Sequence, residues 1–394
     1  MYIGALGRLP KPPRIPAVAL RGATAPAVAP SWITSLAVGD WSNVSNSTLS
    51  TSGAMLTSGD QIVDSYSGGI LVTGGLYIGA TFTAGTFLVL VGGGHTISYD
   101  ELYAWGPMEG SPTWNLLRGR TSPIIQNADV DGNGNPVTGH SYSGIVYPGA
   151  SRGVLLRMGC LYRYSDTSSN TRLDRFNFLQ ASPGFSGASQ PWLSTLASMP
   201  SSAPASLAAY ETSSDRVWYM PTGQFDRIGY YDCAANTHSI SAQTKNWSGT
   251  YDRSTGAIDN NRGIFASIGG GTTLQFYRTN NGTGNDWYVP SLNTTSASLP
   301  TDPYTSGFWD SVNDRFVLMA DTGNSIRYVT PPASNPYQGG NAWVVTSVTP
   351  GGVTVPAASA NGTYGRFLEF HIAGVQVYLR MNSGTSAICA MRVS

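Results

Sequence analysis

Short apolar runs recur along the chain, and each is closed by glycine, asparagine, aspartate or serine. Phe87-Leu88-Val89-Leu90-Val91 and Arg315-Phe316-Val317-Leu318 are examples of such runs. Runs of four to eight residues bounded by turn residues predict β-strands. Glutamate, a good helix former, occurs only four times (Glu101, Glu109, Glu211 and Glu369), so few helices are expected. The pattern predicts an all-β protein.

The runs also follow a repeated order. A first strand is followed by a tight turn carrying Asp, Asn or Arg, then by a strongly hydrophobic second strand, a third strand and an outer strand with tryptophan. The first strands begin near Gly69, Gly144, Ala208, Gly256 and Gly307. A supersecondary unit repeated with variable loops predicts an array of similar blades.

Tryptophan marks the outer strand of each predicted unit. The six residues are Trp41, Trp114, Trp192, Trp247, Trp287 and Trp343, and successive members are separated by 40 to 78 positions. The alternative to a repeat is chance placement among the ten tryptophans of the chain. Because the other strand signals repeat with the tryptophan, we interpret these residues as buried structural anchors, one in each unit.

The C-terminal unit lacks its fourth strand. Residues 366–370, 375–379 and 387–391 supply three strands, and the chain stops at Ser394 without another tryptophan. An unpaired strand with Trp41 stands at the other end, within about residues 31–46. If it completes the last unit, the array closes and no exposed sheet edge remains between its ends. The predicted fold is six four-stranded blades in a ring over residues 31–394.

Charge and hydropathy exclude two classes of partner. The chain has 22 basic and 22 acidic residues, which gives no basic footprint for nucleic acid. No apolar stretch has the length of a membrane span, and prolines interrupt the N-terminal region where an export signal would lie. We therefore expect no nucleic-acid partner and no membrane insertion.

Residues 1–30 differ from the rest of the chain. They contain six prolines and no acid, and their basic residues are Arg8, Lys11, Arg14 and Arg21. Proline fixes φ and removes hydrogen-bond donors, so an extended, polyproline-like arm is predicted. The arm either lies along a neighbouring subunit or is a flexible tail.

One loop resembles a metal site. Asp129, Asp131 and Asn133 alternate, and Gly134 follows at the sixth position, as in the first half of a calcium loop. The twelfth position is His140 instead of glutamate, so the bidentate ligand is missing. A plain Asx- and glycine-rich loop is favoured over calcium, and no other cofactor is expected.

The strand order, the Gly92–Gly94 run after Val91 and the late tryptophan resemble the kelch or galactose-oxidase type of β-propeller. Gly269–Gly271 repeats the glycine run, whereas the other blades lack it. This resemblance implies a copper site of two histidines and a tyrosine linked to cysteine. His95, His140, His238 and His371 are scattered without such a context, and hydrolase motifs are absent, so no enzyme is expected.

The Gly-, Ser-, Thr- and Tyr-rich, lysine-poor composition with an N-terminal arm resembles structural proteins of tailed-bacteriophage virions. The resemblance implies a non-enzymatic component of a tail, neck or capsid surface, with other virion proteins as partners. The alternative is a propeller that binds a host receptor or carbohydrate, with Trp105, Tyr231 and Tyr304 as candidates for stacking on sugars. An enzyme is the third class.

Overall fold

A computed structural model describes most of the chain beyond the N-terminal arm. It covers residues 28–52, 63, 67–92, 101–107, 112–119, 139–141, 143–163, 170–179, 192–193, 205–221, 228–240, 254–269, 274–280, 287–302, 304–337, 341–358 and 362–394. Nearly all regular structure in these residues is β-strand. The exceptions within the described segments are one short helix, Ser31–Thr34 (α1), two 3-10 turns, Leu49–Thr51 and Tyr364–Arg366, and the single helical residue Val63.

Six sheets form the blades of a β-propeller. The first blade, in spatial order, contains β2 (Gly68–Val72), β5 (Phe87–Val91), β6 (Leu102–Trp105) and β7 (Trp114–Arg118). The second contains β9 (Ile145–Val146), β10 (Val154–Arg163), β11 (Asn170–Asn177) and β12 (Trp192–Leu193). The third contains β13 (Ala205–Glu211), β14 (Arg216–Pro221), β15 (Gly229–Asp232) and β16 (Thr237–Ile240).

The remaining three blades follow the same antiparallel order. The fourth contains β17 (Ser254–Asp259), β18 (Ile264–Gly269), β19 (Gln275–Arg278) and β20 (Trp287–Tyr288). The fifth contains β22 (Ser306–Asp310), β23 (Arg315–Met319), β24 (Ile326–Thr330) and β25 (Trp343–Val348). The sixth contains β27 (Phe367–Ile372), β28 (Val375–Arg380), β29 (Cys389–Arg392) and β1 (Asp40–Asn43).

The first strands of the blades line the centre of the ring. They contact one another in the order β2, β9, β13, β17, β22 and β27, and β27 contacts β2. Glycine permits this close approach: a Cβ on Gly256 would lie 2.8 Å from the Ala208 carbonyl oxygen of the preceding blade. The apolar core lies between successive blades, and most of its clusters draw side chains from two of them.

The prediction of six four-stranded blades needs correction in its strand count. Three sheets have a fifth strand, because β8 (Gly139–His140), β21 (Leu292–Asn293) and β26 (Gly351–Gly352) add to blades two, five and six. The β21 and β26 additions are parallel and cover the outer strand of their sheet. A separate hairpin of β3 (Leu76–Ile78) and β4 (Thr81–Thr83) projects from the first blade.

The N-terminal strand lies beside the last strand of the chain. Trp41 pairs with Met391, and Asn43 pairs with Cys389, in an antiparallel register. The strand is shorter than the predicted stretch of about 31–46, because residues 31–34 form α1 instead. Pro30 occupies the N-cap, and burial of Ile33 between the sixth and first blades stabilises this turn. Tertiary packing overrides strand propensity here.

No helix among the described residues is long and apolar enough to cross a membrane.

Candidate functional site: a carboxylate belt between blades

Buried carboxylates end the first strand of three consecutive blades. Glu211, Asp259 and Asp310 are the last residues of β13, β17 and β22, and they are 2%, 0% and 0% exposed. Each accepts hydrogen bonds from its own turn, for example from the backbone N–H groups of Asn261 and Arg262 to Asp259. A buried carboxylate is tolerated only when donors surround it, so these residues fix the turns between the first and second strands.

The same turns connect neighbouring blades, and two kinds of turn sequence alternate from the second blade to the fifth. The turns of the second and fourth blades carry Arg152-Gly153 and Arg262-Gly263, with both glycines at positive φ. The turns of the third and fifth blades carry Asp215 and Asp314, both at φ 54°. Aspartate tolerates this left-handed conformation better than most residues. Blades two and three therefore form one pair of complementary turns, and blades four and five form another.

Ion pairs join each turn that carries Arg-Gly to the turn of the next blade, which carries Asp. The Arg152 guanidinium donates to both carboxylate oxygens of Asp215, and its Nη1 donates to the Cys233 carbonyl at 3.2 Å. Arg262 Nη1 lies 2.7 Å from Asp259 Oδ2 and 2.7 Å from Asp314 Oδ1. Hydrogen bonds from Arg262 hold the pKa of Asp314 below its ordinary value. Planar guanidinium groups suit such bidentate bridging.

At the other junctions in this part of the ring, neutral groups of the next blade donate to the carboxylates. Thr279 donates to Glu211 across blades three and four. Tyr378 Oη and Gln376 Nε2 donate to Asp310 at 2.6 and 2.8 Å across blades five and six. Although burial opposes ionisation of Asp310, hydrogen bonds led by that of Tyr378 hold its pKa below the ordinary value.

We call Glu211, Asp215, Asp259, Asp310 and Asp314 the carboxylate belt. It runs across the junctions from blade two to blade six. The sequence indicated turns with Asp, Asn or Arg, but it did not reveal their role between blades. Two signals were present: the four-residue spacing of Glu211 to Asp215 and of Asp310 to Asp314, and the alternation of Arg-Gly with Asp-Arg. Chemically, the belt holds blades in register, because its carboxylates are occupied by protein donors.

The junction between the sixth and first blades is built differently. Ile33, fully buried, packs in the core cluster that both blades share, and Trp32 packs on Trp105 with ring centroids 5.9 Å apart. The Trp32 indole Nε1 donates to the Pro107 carbonyl at 3.0 Å. The N-terminal segment thus fills this junction with apolar side chains.

A second polar cluster lies at the opposite ends of the strands, between blades five and six. Thr363 Oγ1 is 2.7 Å from Asn382 Oδ1 and 3.2 Å from Asp321 Oδ1, and Arg380 Nη2 donates to it at 3.2 Å. Thr363 lies within hydrogen-bond distance of both acceptors but can donate its single hydroxyl proton to only one of them at a time. Burial raises the pKa of Asp321 to about 6, with Arg380 opposing and Asp302 adding to the shift.

The structure places five of the six predicted tryptophans on the fourth strand of a blade. Trp41, Trp114 and Trp343 are buried, and Trp192 and Trp287 lie in β12 and β20. Trp247 falls outside the described residues, so its place in the third blade stays a prediction, and the fourth strand described there contains no tryptophan. That strand is Thr237–Ile240, because an Asp232-capped turn reverses the chain immediately.

Two of the proposed sugar-stacking residues are unsuitable. Trp105 is 0% exposed and Tyr231 is 4% exposed, so neither ring presents a face to a ligand. Tyr304 is half-buried beside Gly362. Both residues lie in the third strand of a blade instead of a loop: all of β6 is buried around Trp105, and Tyr231 alternates with less buried neighbours in β15.

The other predicted site residues lie outside the described residues. They are the calcium-loop residues Asp129, Asp131 and Asn133 and the arm residues Arg8, Lys11, Arg14 and Arg21. His140, at the twelfth loop position, belongs to β8. Within the described segments, no group of three or more His, Cys, Asp or Glu side chains is placed to hold a metal ion.

Comparisons with known proteins add little. No protein-family model matches the chain, and no curated protein matches it. Among solved structures, the chain is similar to a structural genomics protein of unknown function from Bacteroides thetaiotaomicron VPI-5482. The identity is 11%, the match covers 77% of this chain and 93% of the other, and the TM-score is 0.38. A match at this level carries no function to the present chain.

Proposed function

We propose that this chain is a non-enzymatic structural protein of a bacteriophage virion, located in a tail, neck or capsid surface. In this proposal the chain forms a rigid, kelch-like propeller that is displayed on the virion, and its N-terminal arm docks on neighbouring virion proteins. The basic residues Arg8, Lys11, Arg14 and Arg21 supply the charge of that contact.

The observation that carries the proposal is the anchoring of the N-terminal segment. Ile33 is fully buried and Trp32 is hydrogen-bonded to the first blade, whereas Val28, five residues before Ile33, is 75% exposed. An arm that leaves from a fixed point on a rigid ring transmits its binding to the whole body. A flexible tail requires no such anchor.

The carboxylate belt supports the same conclusion. Its charged groups on one face of the ring are engaged with each other across blade junctions, Arg152 with Asp215 and Arg262 with Asp314. Paired charges of this kind add rigidity and register more than ligand affinity. A body that must withstand assembly and exposure gains from both.

The test is incorporation into particles. Virions purified from cells that encode this chain are analysed by mass spectrometry, with the wild-type chain compared with a chain lacking residues 1–27. A four-residue variant, with Arg8, Lys11, Arg14 and Arg21 replaced by glutamine, tests the charge separately. We expect the wild-type chain in the particle and strongly reduced amounts of both variants. Normal incorporation of the truncated chain would refute the docking role.

The receptor-binding alternative is ranked second, because Trp105 and Tyr231 are buried. Binding of the purified ring to a glycan array or to host cells, abolished by Tyr304→Ala, would favour it over a purely structural role.

A further inference from the structure

The β3–β4 hairpin is an uncharged, aromatic projection from the first blade. No charged residue occurs from Ser67 to Gly92. Phe82 is 37% exposed, and its ring meets that of Tyr77 edge to face at 5.4 Å. The other large apolar side chains that are exposed in the described segments are all valines. An exposed aromatic ring that packs on a partly buried one, in a segment without charged residues, is a candidate contact surface.

The second blade fixes the hairpin in place. Tyr77 N–H donates to the Phe178 carbonyl at 2.9 Å, and Tyr147 Oη donates to the Thr73 carbonyl at the hairpin's base. Tyr147 also packs edge to face on Phe178, with centroids 6.1 Å apart. The half-exposed rings of Tyr77, Phe82 and Tyr147 therefore lie on a rigid base, which we call the aromatic hairpin surface.

The chain itself contains a segment whose chemistry fits this surface. Residues 1–27 are rich in proline, with Pro10, Pro12, Pro13 and Pro16 close together. Proline-rich segments bind grooves lined by aromatic rings, because the polyproline conformation has little entropy to lose. We propose that the aromatic hairpin surface is the docking site for the proline-rich arm of a second copy of this chain. This inference rests on the docking role proposed above and names the partner.

Distance favours a second copy over the chain's own arm. The arm begins at Val28, at the junction of the sixth and first blades, whereas the hairpin stands at the junction of the first and second. Packed sheets are about 10 Å apart, so the two points are separated by roughly one or two sheet spacings. Pro16 and Pro10 lie 12 and 18 residues before Val28. In the extended polyproline conformation that the sequence predicts, at about 3.1 Å per residue, these positions would lie about 37 and 56 Å from Val28.

Both sites also lie on the same side of the ring. The hairpin occupies the connection between the first and second strands of its blade, and Trp32 binds Pro107, which follows the end of the third strand. In an antiparallel blade these two connections fall on one face. When two copies lie side by side in the same orientation, the start of the arm on one copy therefore lies on the same side of the ring as the hairpin of the other.

The experiment measures self-association of the full chain by sedimentation velocity over a concentration series. Three variants are compared with the wild type: deletion of residues 1–24, Phe82→Ser, and Val312→Ser. Val312 is the matched control, because it is 61% exposed at the turn between the first two strands of the fifth blade. Unchanged thermal melting checks that each substituted ring is folded.

We expect the deletion and Phe82→Ser each to weaken self-association at least tenfold, with no further loss when combined, and Val312→Ser to leave it unchanged. A wild-type chain that stays monomeric, or a Phe82→Ser variant that associates normally, would overturn the proposal. If the deletion weakens association while Phe82→Ser does not, the arm docks elsewhere and the proposed function survives. If only Phe82→Ser weakens it, the hairpin binds something other than the arm, and the proposal fails.

Discussion

Trp41 offers a sharp test of how the N-terminal strand contributes to the ring. Its side chain is 0% exposed and packs in a cluster with Phe367 of the sixth blade and Met319 of the fifth. A tryptophan buries about 150–250 Å², which at about 25 cal/mol per Å² corresponds to about 4–6 kcal/mol as an upper bound. We expect Trp41→Ala to lower the free energy of unfolding by about 4 kcal/mol, within the range typical of such truncations.

The indole nitrogen separates packing from hydrogen bonding. Trp41 Nε1 has no hydrogen-bond partner among the described residues, whereas Trp114 Nε1 donates to the Ser47 carbonyl at 2.7 Å. Trp41→Phe should therefore cost about 1 kcal/mol less than Trp114→Phe, because it removes no hydrogen bond. Urea unfolding followed by circular dichroism gives both midpoints and slopes. An unchanged midpoint for Trp41→Ala would refute the reasoning that this strand stabilises the ring.

Three further substitutions test the polar clusters by urea or thermal unfolding. Asp310→Ala leaves buried donors of Tyr378 and Gln376 unpaired and should cost about 3 kcal/mol. Arg262→Gln breaks a partly exposed pair with Asp314 and removes one donor from the buried Asp259, whose other oxygen keeps two backbone donors, so it should cost less, about 1–2 kcal/mol. Equal losses would contradict this ranking. Because the pKa of Asp321 is raised to about 6 in the folded protein, the folded state binds the extra proton and stability falls as pH rises from about 4 through 6. The melting temperature should drop over that window and drop less in Asp321→Asn, while parallel profiles would count against a protonated Asp321.

The propeller was accessible from the sequence because its signals are repeated. Each blade has its own run of apolar residues at strand spacing, so an error in one unit does not change the architecture. The predicted strand at Phe87–Val91 agrees with β5, and the predicted second strand of the last unit, Val375–Leu379, agrees with β28. Six blades follow from the period and order of these elements.

Contacts between blades were not accessible in the same way. Pairing of Arg152 with Asp215 joins residues 63 positions apart, and local patterns do not encode which neighbouring turn will meet which. The fifth strands β21 and β26 have two residues each, too few for a periodic signal. Trp105 and Tyr231 were misjudged because propensity alone does not tell which strand face is buried.

Completion of the sixth blade by the N-terminal strand is tested directly by one covalent measurement. Asn43 pairs with Cys389, whose Sγ lies 3.5 Å from Asn43 Oδ1, and paired antiparallel positions have Cα separations suited to a disulfide. Peptide mass spectrometry of oxidised Asn43→Cys protein should show a disulfide between position 43 and Cys389. It should be absent in the exposed control Asn46→Cys. Failure of position 43 to link to Cys389 in the folded protein would contradict closure of the ring by this strand.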